Sequence, residues 1–365
     1  MNDVRYSSRR FLARVRTASH AASRIGARVR WRAPWDWFGG READRARVVD
    51  LYACYRLLLG REPDEAGWTV WMHAIRNGIS VEALRDGFLY SAEFVTAQCR
   101  PRRPILVELD EFKIYVQRAD FFVGAAILRD RTFEPHVTAE VRRLLQPGGV
   151  FIDVGANIGY FTLLAAARVG PQGRVVAFEP NPDNCELLAE SIRANGFENI
   201  TVHPYAVGDR PRDSLLAAGG VISNGHILDA PPAAAPVYRR VRVVRADDHL
   251  RDLPTVDVVK IDIEGGEPRA LRGMTDLVRV HQPVIVSEFS PALIESISGE
   301  PAASYLEHLD QLGYVLCILG QDARQTRTAR EILGAHASSG LSHLDLIAYP
   351  RAAMAAWGAG SRSES

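Results

Sequence analysis

The sequence predicts an α/β fold, a seven-stranded αβα sandwich with a small all-α module ahead of it. Three observations predict it. From residue 150 onward, short apolar runs of strand type alternate with helical stretches. The first run, V-F-I-D-V at 150–154, ends in a Gly-punctuated turn, and Tyr160-Phe-Thr-Leu-Leu then opens a helix. An acidic residue, Glu179, closes the second run. Strand, Gly-rich turn and helix is how an α/β sheet presents backbone N–H groups to a small ligand at the carboxyl end of a strand.

The bulk numbers bound the reading. A chain of 365 residues has room for one large domain and a small one, and 47% hydrophobic content supports a real core. Lys+Arg and Asp+Glu are both 44, so charge gives no argument for a nucleic-acid partner. The basic residues are almost all Arg. Lysine occurs only at Lys113 and Lys260, which singles out Lys260. Cys54, Cys99, Cys185 and Cys317 stand apart from one another and from clustered His, so they carry no zinc signature and fit a reducing cytosol. No apolar run approaches the ~18 residues of a membrane span, and the N-terminus lacks the apolar core of a secretion signal. The expected location is cytoplasmic.

Residues 1–43 form an Arg-rich arm whose acids before Arg41-Glu42 are Asp3 and Asp36. Phe11, Val15, Ala18, Ala22, Ile25 and Val29 fall on one helical stripe, and Trp31, Trp35 and Trp37 follow. Two readings stand: a disordered basic arm, or an amphipathic helix lying on the anionic inner face of a membrane. Residues 44–100 read as a helical module. A first helix runs through Leu51 and Leu58, and Pro63 is placed to open a second through Trp68 and Trp71. Ser80 caps a third. The string L-L-L-G-R-E-P-D-E-A-G-W, with F-L-Y-S-A-E-F after it, resembles a small bacterial helical domain of unknown function. That family recurs beside polysaccharide-modifying enzymes, and the resemblance implies an interaction module rather than chemistry.

Residues 101–350 form the second domain, and 351–365 a disordered tail. Pro101-Arg-Arg-Pro104 is a linker. Ile105–Leu109 and Phe112–Val116 flank Asp110-Glu111 and read as a hairpin. Phe133-Glu-Pro135 precedes a helix over Val137–Leu145. Further strands are expected at Arg174–Glu179, Ile200–Val207, Val256–Glu264, Pro283–Phe289, Tyr314–Leu319 and Leu344–Tyr349, with helices around 183–195, 268–277 and 302–312. The last strand arrives by a short connection and is the candidate for antiparallel pairing. Residues 210–245 are rich in Pro, Ala and Gly, and they read as a hairpin or lid over the site.

Two nucleotide sites compete for the opening turn. A dinucleotide site wants G-x-G-x-x-G, whereas Gly155-Ala-Asn-Ile-Gly159 is G-x-N-x-G. A ligand with adenosine but no pyrophosphate, S-adenosylmethionine, fits better than NAD. Glu179, twenty positions beyond Gly159, is placed to take both hydroxyls of a ribose. D-V-G-A-N-I-G-Y-F-T, V-V-A-F-E-P-N-P, A-V-G-D, V-V-K-I-D-I-E-G-G-E and V-S-E-F, in that order, resemble the FkbM family of S-adenosylmethionine-dependent methyltransferases from about Phe133 to Pro350. The resemblance implies a class I methyltransferase fold, Rossmann-like, and O-methyl transfer to sugars or other secondary metabolites. Arg245-Ala-Asp-Asp248 departs from the family's usual Thr-Leu-Asp-Asp.

On that footing Asp153, Gly155, Asn157 and Gly159 hold the methionine part of the cofactor, and Glu179 holds the ribose with Asn181 nearby. Ala206 and Val207 frame the adenine, and Asp209 partners its amino group. The F-E-P resemblance alone adds Glu134 at the ammonium group. Val258, Lys260, Asp262 and Glu264 share one face of a central strand. A charge there is costly unless paired, so Lys260 pairs with a carboxylate. Candidate bases for an acceptor hydroxyl are Asp262, Glu264 and His226, in that order; the competing reading makes Lys260 and Asp262 an ion pair that only holds the loop. Asp262 with Glu288 is also a candidate pair for Mg²⁺. Glu267 reads as a helix-start carboxylate. A glycan hydroxyl is the first choice of acceptor, with a small non-sugar metabolite, a non-catalytic scaffold and an NAD-dependent oxidoreductase behind it.

Overall fold

The computed structural model describes residues 45–89, 91, 93–94, 104–118, 120, 122–218, 225–228, 238–321 and 325–353. The arm at 1–43, Cys99 and most of the tail lie outside the described residues, and so does the membrane-contact reading of the arm. Among the described residues no helix is long and apolar enough to cross a membrane.

The chain divides into two compact units, residues 1–52 with 63–84 and residues 53–62 with 85–365. Helices α1 (Val48–Ala53), α2 (Glu65–Arg76) and α3 (Val81–Leu89) occupy the region read as helical from its period. In the first unit the side chain of Asp64 accepts the Gly67 N–H at 2.7 Å and caps α2, one residue after Pro63. The helix therefore opens at its cap and not at the proline. Tyr52 meets Trp68 edge to face at 5.4 Å. In the second unit Tyr55 and Phe88 pack the same way at 4.8 Å.

The second unit begins with an antiparallel hairpin, β1 (Ile105–Glu108) and β2 (Lys113–Val116). Two helices follow, α4 (Val123–Asp130) and α5 (Pro135–Leu144). The strands after them are β3 (Val150–Val154), β4 (Arg174–Phe178), β5 (Ile200–His203), β6 (Ala206–Val207), β7 (Arg212–Ala218), β8 (Gly225–Leu228), β9 (Tyr238–Val244), β10 (Val258–Ile261), β11 (Val284–Phe289), β12 (Tyr314–Ile318) and β13 (Leu344–Pro350). The main sheet has seven strands in the order β12–β13–β11–β10–β3–β4–β5. All pair parallel except β13, which runs antiparallel to both β11 and β12. This is the class I methyltransferase arrangement. Helices α6 (Tyr160–Val169), α7 (Pro182–Asn195), α8 (Glu267–Arg272), α9 (Thr275–His281), α10 (Ala302–Gln311) and α11 (Ala329–Ser339) cover the two faces.

Alternation along each strand splits the core in two. Ile152, Val154, Val259 and Ile261 pack with α8, α9 and α10, whereas Phe151, Val258 and Val286 pack with α5, α6 and α7. Asp153 and Lys260 belong to the second face by the same alternation.

Five sequence expectations need correction. Ile200–Val207 is not one strand: Pro204, which has no N–H to give a ladder, turns the chain, and Ala206-Val207 joins a second sheet of order β6–β9–β7–β8. The β10 strand stops at Ile261, so Asp262, Ile263 and Glu264 lie in a turn. The helix expected over 268–277 is two helices, broken at Gly273-Met274. The chain between β12 and β13 is not a short connection, because it carries α11, closed at its start by a Thr328–Glu331 capping box. The sequence reading passed over α4 altogether.

The Arg245-Ala-Asp-Asp248 loop has a local structural role. The buried Asp247 carboxylate accepts the Leu277 N–H at 2.9 Å and the Asp276 N–H at 3.3 Å, serving the start of α9, while Arg245 pairs with it at 2.9 Å.

Candidate active site

The site begins with backbone. Gly155 has φ +90°, and a Cβ on it would lie 2.0 Å from the Asp262 carbonyl oxygen. Only glycine allows that approach. The Gly155 and Ala156 N–H groups both donate to the Phe178 carbonyl at 3.0 Å, and the Asp262 N–H donates to the Val154 carbonyl at 3.0 Å. The carboxyl ends of β3, β4 and β10 are thus tied together, and a cleft opens beyond them.

At one end stands Glu179, buried at the tip of β4. Its Oε2 accepts the Asn157 N–H at 2.8 Å, and its Oε1 accepts the Asn181 N–H at 2.8 Å and Asn184 Nδ2 at 3.3 Å. Burial pushes its carboxyl up to about 7, against those three donors. A carboxylate takes about four hydrogen bonds, so Glu179 retains acceptor capacity toward the cleft. Tyr205, Ala206, Val207 and Val243 supply the largely apolar wall beside it.

At the other end Lys260 is buried beneath the cleft. Its Nζ lies 2.7 Å from Asp262 Oδ2 and 4.6 Å over the Phe161 ring. Asp153 stands beside it in register on β3; Thr162 Oγ1 donates to Asp153 Oδ2 at 2.6 Å, and Oδ1 has no partner among the described residues. Burial works against the charge on Lys260, but Asp262, Glu134 and Asp153 outweigh it and raise its pKa. Burial likewise opposes the charge on Asp262; Lys260 and a hydrogen bond from Glu288 hold its carboxyl below the ordinary value. Glu134, at φ +42° on the head of α5, is pushed up to about 8 by burial, with Lys260 opposing. Glu264, at φ +54°, also lines the cleft. Glu267 does not: its Oε1 accepts the Ile263 and Gly265 N–H groups at 3.1 and 3.2 Å and closes the turn at the head of α8. Its reading as a helix-start carboxylate agrees with this geometry.

Residues 153–316 match the family profile described as Methyltransferase FkbM domain. The chain carries an FkbM methyltransferase domain. Residues 48–98 match a domain of unknown function, DUF4214. Hexuronic acid methyltransferase AglP of Haloferax volcanii is 30% identical over 165 residues, which is 44% of this chain and 64% of that one. Methyltransferase 1 of Beauveria bassiana is 26% identical over 145 residues, 34% of this chain and 58% of that one. The matched regions thus span less than two-thirds of the length of either relative. A crystal structure of methyltransferase FkbM from Methylobacillus flagellatus KT overlays with a TM-score of 0.36 at 16% identity, covering 83% of this chain and 60% of that one; an overlay that loose adds nothing to the topology above.

The cleft brings together Glu134, Gly155, Asn157, Glu179, Asn181, Ala206, Val207, Lys260, Asp262 and Glu264. It does not bring the other four expected residues to its surface. Asp153 lies under the floor, where Thr162 and Lys260 are its neighbours. Gly159 gives room to a neighbouring helix, because a Cβ on it would lie 2.3 Å from Leu188 Cδ1 of α7. Asp209 turns to Arg212 at 3.1 Å, and it is Arg212 that lines the cleft. His226 is flanked by Gly225 and Ile227, which line the cleft, so strand alternation turns its imidazole to the opposite face.

Sequence reasoning missed Phe161 under Lys260, and Tyr205 and Arg212 on the wall. The helix after the glycine turn signalled the first, since its opening residues face the strand ends. The pair Asp262 and Glu288 does not fit Mg²⁺. Among the described residues no group of three or more His, Cys, Asp and Glu is arranged to hold a metal.

Proposed function

We propose that this chain is an S-adenosylmethionine-dependent O-methyltransferase acting on a hydroxyl group of a sugar or glycan. One observation carries the reading: a single cleft joins the buried carboxylate Glu179 beside a G-x-N-x-G turn to the ionised carboxylate Asp262 at the end of β10. The donor set fits the cofactor. Glu179 and an apolar wall suit a ribose and an adenine, and the carboxyl-rich end suits a ligand with a sulfonium and an ammonium group.

When bound, S-adenosylmethionine supplies a methyl group already activated on sulfur, so that the acceptor oxygen gains the methyl carbon as the C–S bond breaks and its electron pair stays on sulfur. Glu179 accepts hydrogen bonds from the ribose hydroxyls, held for that task by three donors of its own. Ala206 and Val207 frame the base, and Glu134 faces the ammonium end. Asp262 receives the acceptor's proton, and Lys260 holds it in place. Alignment supplies the larger share, about 7–11 kcal/mol, and a positioned base adds about 10²–10⁴-fold. The sugar acceptor is supported by the hexuronic acid named for the Haloferax volcanii relative and by the company the N-terminal module keeps.

Isothermal titration calorimetry tests the reading. Wild-type protein binds S-adenosylmethionine and not NAD, and Glu179→Ala weakens binding by about 10–100-fold, the worth of one to two charge-assisted hydrogen bonds. Absence of S-adenosylmethionine binding by the wild type sinks it. Release of S-adenosylhomocysteine with methyl glycosides of neutral hexoses and of hexuronic acids then identifies the acceptor class.

A further inference from the structure

A row of carboxyl groups crosses the rim of the main sheet. The β10–β11 register ends with Ile261 opposite Ser287, which sets Asp262 and Glu288 side by side one step further. On its other flank Glu288 is paired with Asp345 of β13. Register partners point to the same face, and neighbouring strands lie about 4.8 Å apart. Three carboxyls therefore stand abreast, with Glu288 in the middle.

The charged neighbours come from every element around them. Glu264 and Glu267 face Glu288 from the turn and helix after β10, and Lys260 faces it from β10 itself. His343 faces Asp262 from the approach to β13, and Glu134 faces both Lys260 and Asp262 from the head of α5. His136 Nε2 lies 2.5 Å from Asp345 Oδ2. Carboxyls this close cannot all ionise. Asp262 has Lys260 at 2.7 Å and Asp345 has His136. Glu288 stands between them and pairs with no cation among the described residues, so the proton that such a row must keep falls to it.

We propose that Glu288 holds this proton and is a positioning residue: as a neutral acid it donates to Asp262, so that Lys260 and Glu288 together fix the Asp262 carboxylate for the acceptor hydroxyl. The positioning role rests on the methyltransferase reading; the shared proton does not. During transfer the hydroxyl proton passes to Asp262 as the O–CH₃ bond forms and the C–S bond breaks, and Glu288 keeps its own proton. Burial, followed by the charges of Asp262, Glu264 and Glu267, pushes the Glu288 carboxyl up to about 10, consistent with that assignment.

The test is ¹³C NMR of protein labelled at the Asp and Glu carboxyls, without cofactor or acceptor. One Glu carboxyl remains protonated at pH 9, above the range in which Glu134 and Glu179 ionise, and its signal is absent from Glu288→Gln. The Asp262 signal, assigned by its loss in Asp262→Asn, titrates below the ordinary Asp range in the wild type. It stays there in Glu288→Gln, whose amide N–H still donates, and rises by about one unit in Glu288→Ala. A Glu288 carboxyl that titrates in the ordinary range overturns the proposal, and so does an Asp262 titration that is the same in the Gln and Ala variants. If Glu288→Ala does not fold, an Asp262 titration displaced in Glu288→Gln is the result that overturns positioning. In turnover, Glu288→Ala loses about 10²-fold in kcat, the cost of a misplaced group, and Glu288→Gln recovers most of it. Failure of the wild type to bind S-adenosylmethionine would instead overturn the functional reading, leaving the carboxyl titrations to decide the proton.

Discussion

Two sheets face the same cleft, and they contribute different things. The main sheet delivers its groups through backbone. β3, β4 and β10 are tied at their carboxyl ends by main-chain hydrogen bonds, and Gly155 lets the Asp262 carbonyl come closer than any side chain would allow. The second sheet, β6–β9–β7–β8, delivers a wall: Val207, Val243, Leu216 and Ile227 face inward, with Arg212 among them. Fixed chemistry sits on the first and adaptable shape on the second. A methyl-transfer site needs both, since alignment of the reacting groups is general whereas the acceptor is particular.

The largest effect expected is on the first sheet. Gly155→Ala places a Cβ 2.0 Å from a backbone oxygen at φ +90°. The backbone strain alone costs about 1–3 kcal/mol, and the overlap adds to it because backbone cannot step aside. Gly170→Ala is the control, with φ +68° and no atom within 4 Å of its Cβ. Urea denaturation should show Gly155→Ala as much the more damaging. Equal losses would mean that the strand ends are not locked as described.

Next in size is chemistry. Asp262→Asn keeps the volume and removes the charge that pairs with Lys260. Turnover should fall by about 10²–10⁴-fold, with S-adenosylmethionine binding nearly retained because Glu179 lies at the other end of the cleft. Turnover at the wild-type level would return Lys260 and Asp262 to a structural ion pair and move the base to Glu264.

The same division explains what the sequence made legible. Strands of the main sheet are buried on both faces and read as unbroken apolar runs, and V-F-I-D-V and V-V-K-I-D-I-E stood out for that reason. Glu179 and Asp262 were readable because a charge at the end of such a run has few reasons to be there. The second sheet was read only as a hairpin or lid over 210–245, since a small sheet leaves a faint alternation and its connections are Pro- and Ala-rich. Asp153 and Gly159 were read as ligand contacts because motif spacing does not distinguish a residue in the floor from one beneath it. Pairing across strands was legible only in part: Asp262 and Glu288 were put together as a candidate metal pair, whereas Asp345 was not. The Asp262–Glu288–Asp345 row depends on the register of β10, β11 and β13, which a single sequence does not encode locally.

The smallest effect expected tests the second sheet. Ile227 and His226 are neighbours on β8 and point to opposite faces, so the pair separates wall from chemistry within one strand. Burial holds the His226 imidazole below its ordinary pKa, so it is neutral at pH 7 and would suit a base if it faced the cleft. It does not, and His226→Ala should leave kcat within about twofold, the range of substitutions away from a site. Ile227→Ala removes apolar surface from the wall and should raise the acceptor KM by about 10-fold, with kcat little changed, as expected for uniform binding. Steady-state kinetics on both variants reads the two effects together. A fall in kcat for His226→Ala, with KM intact, would mean that β8 turns its other face to the substrate and that the second sheet carries chemistry after all.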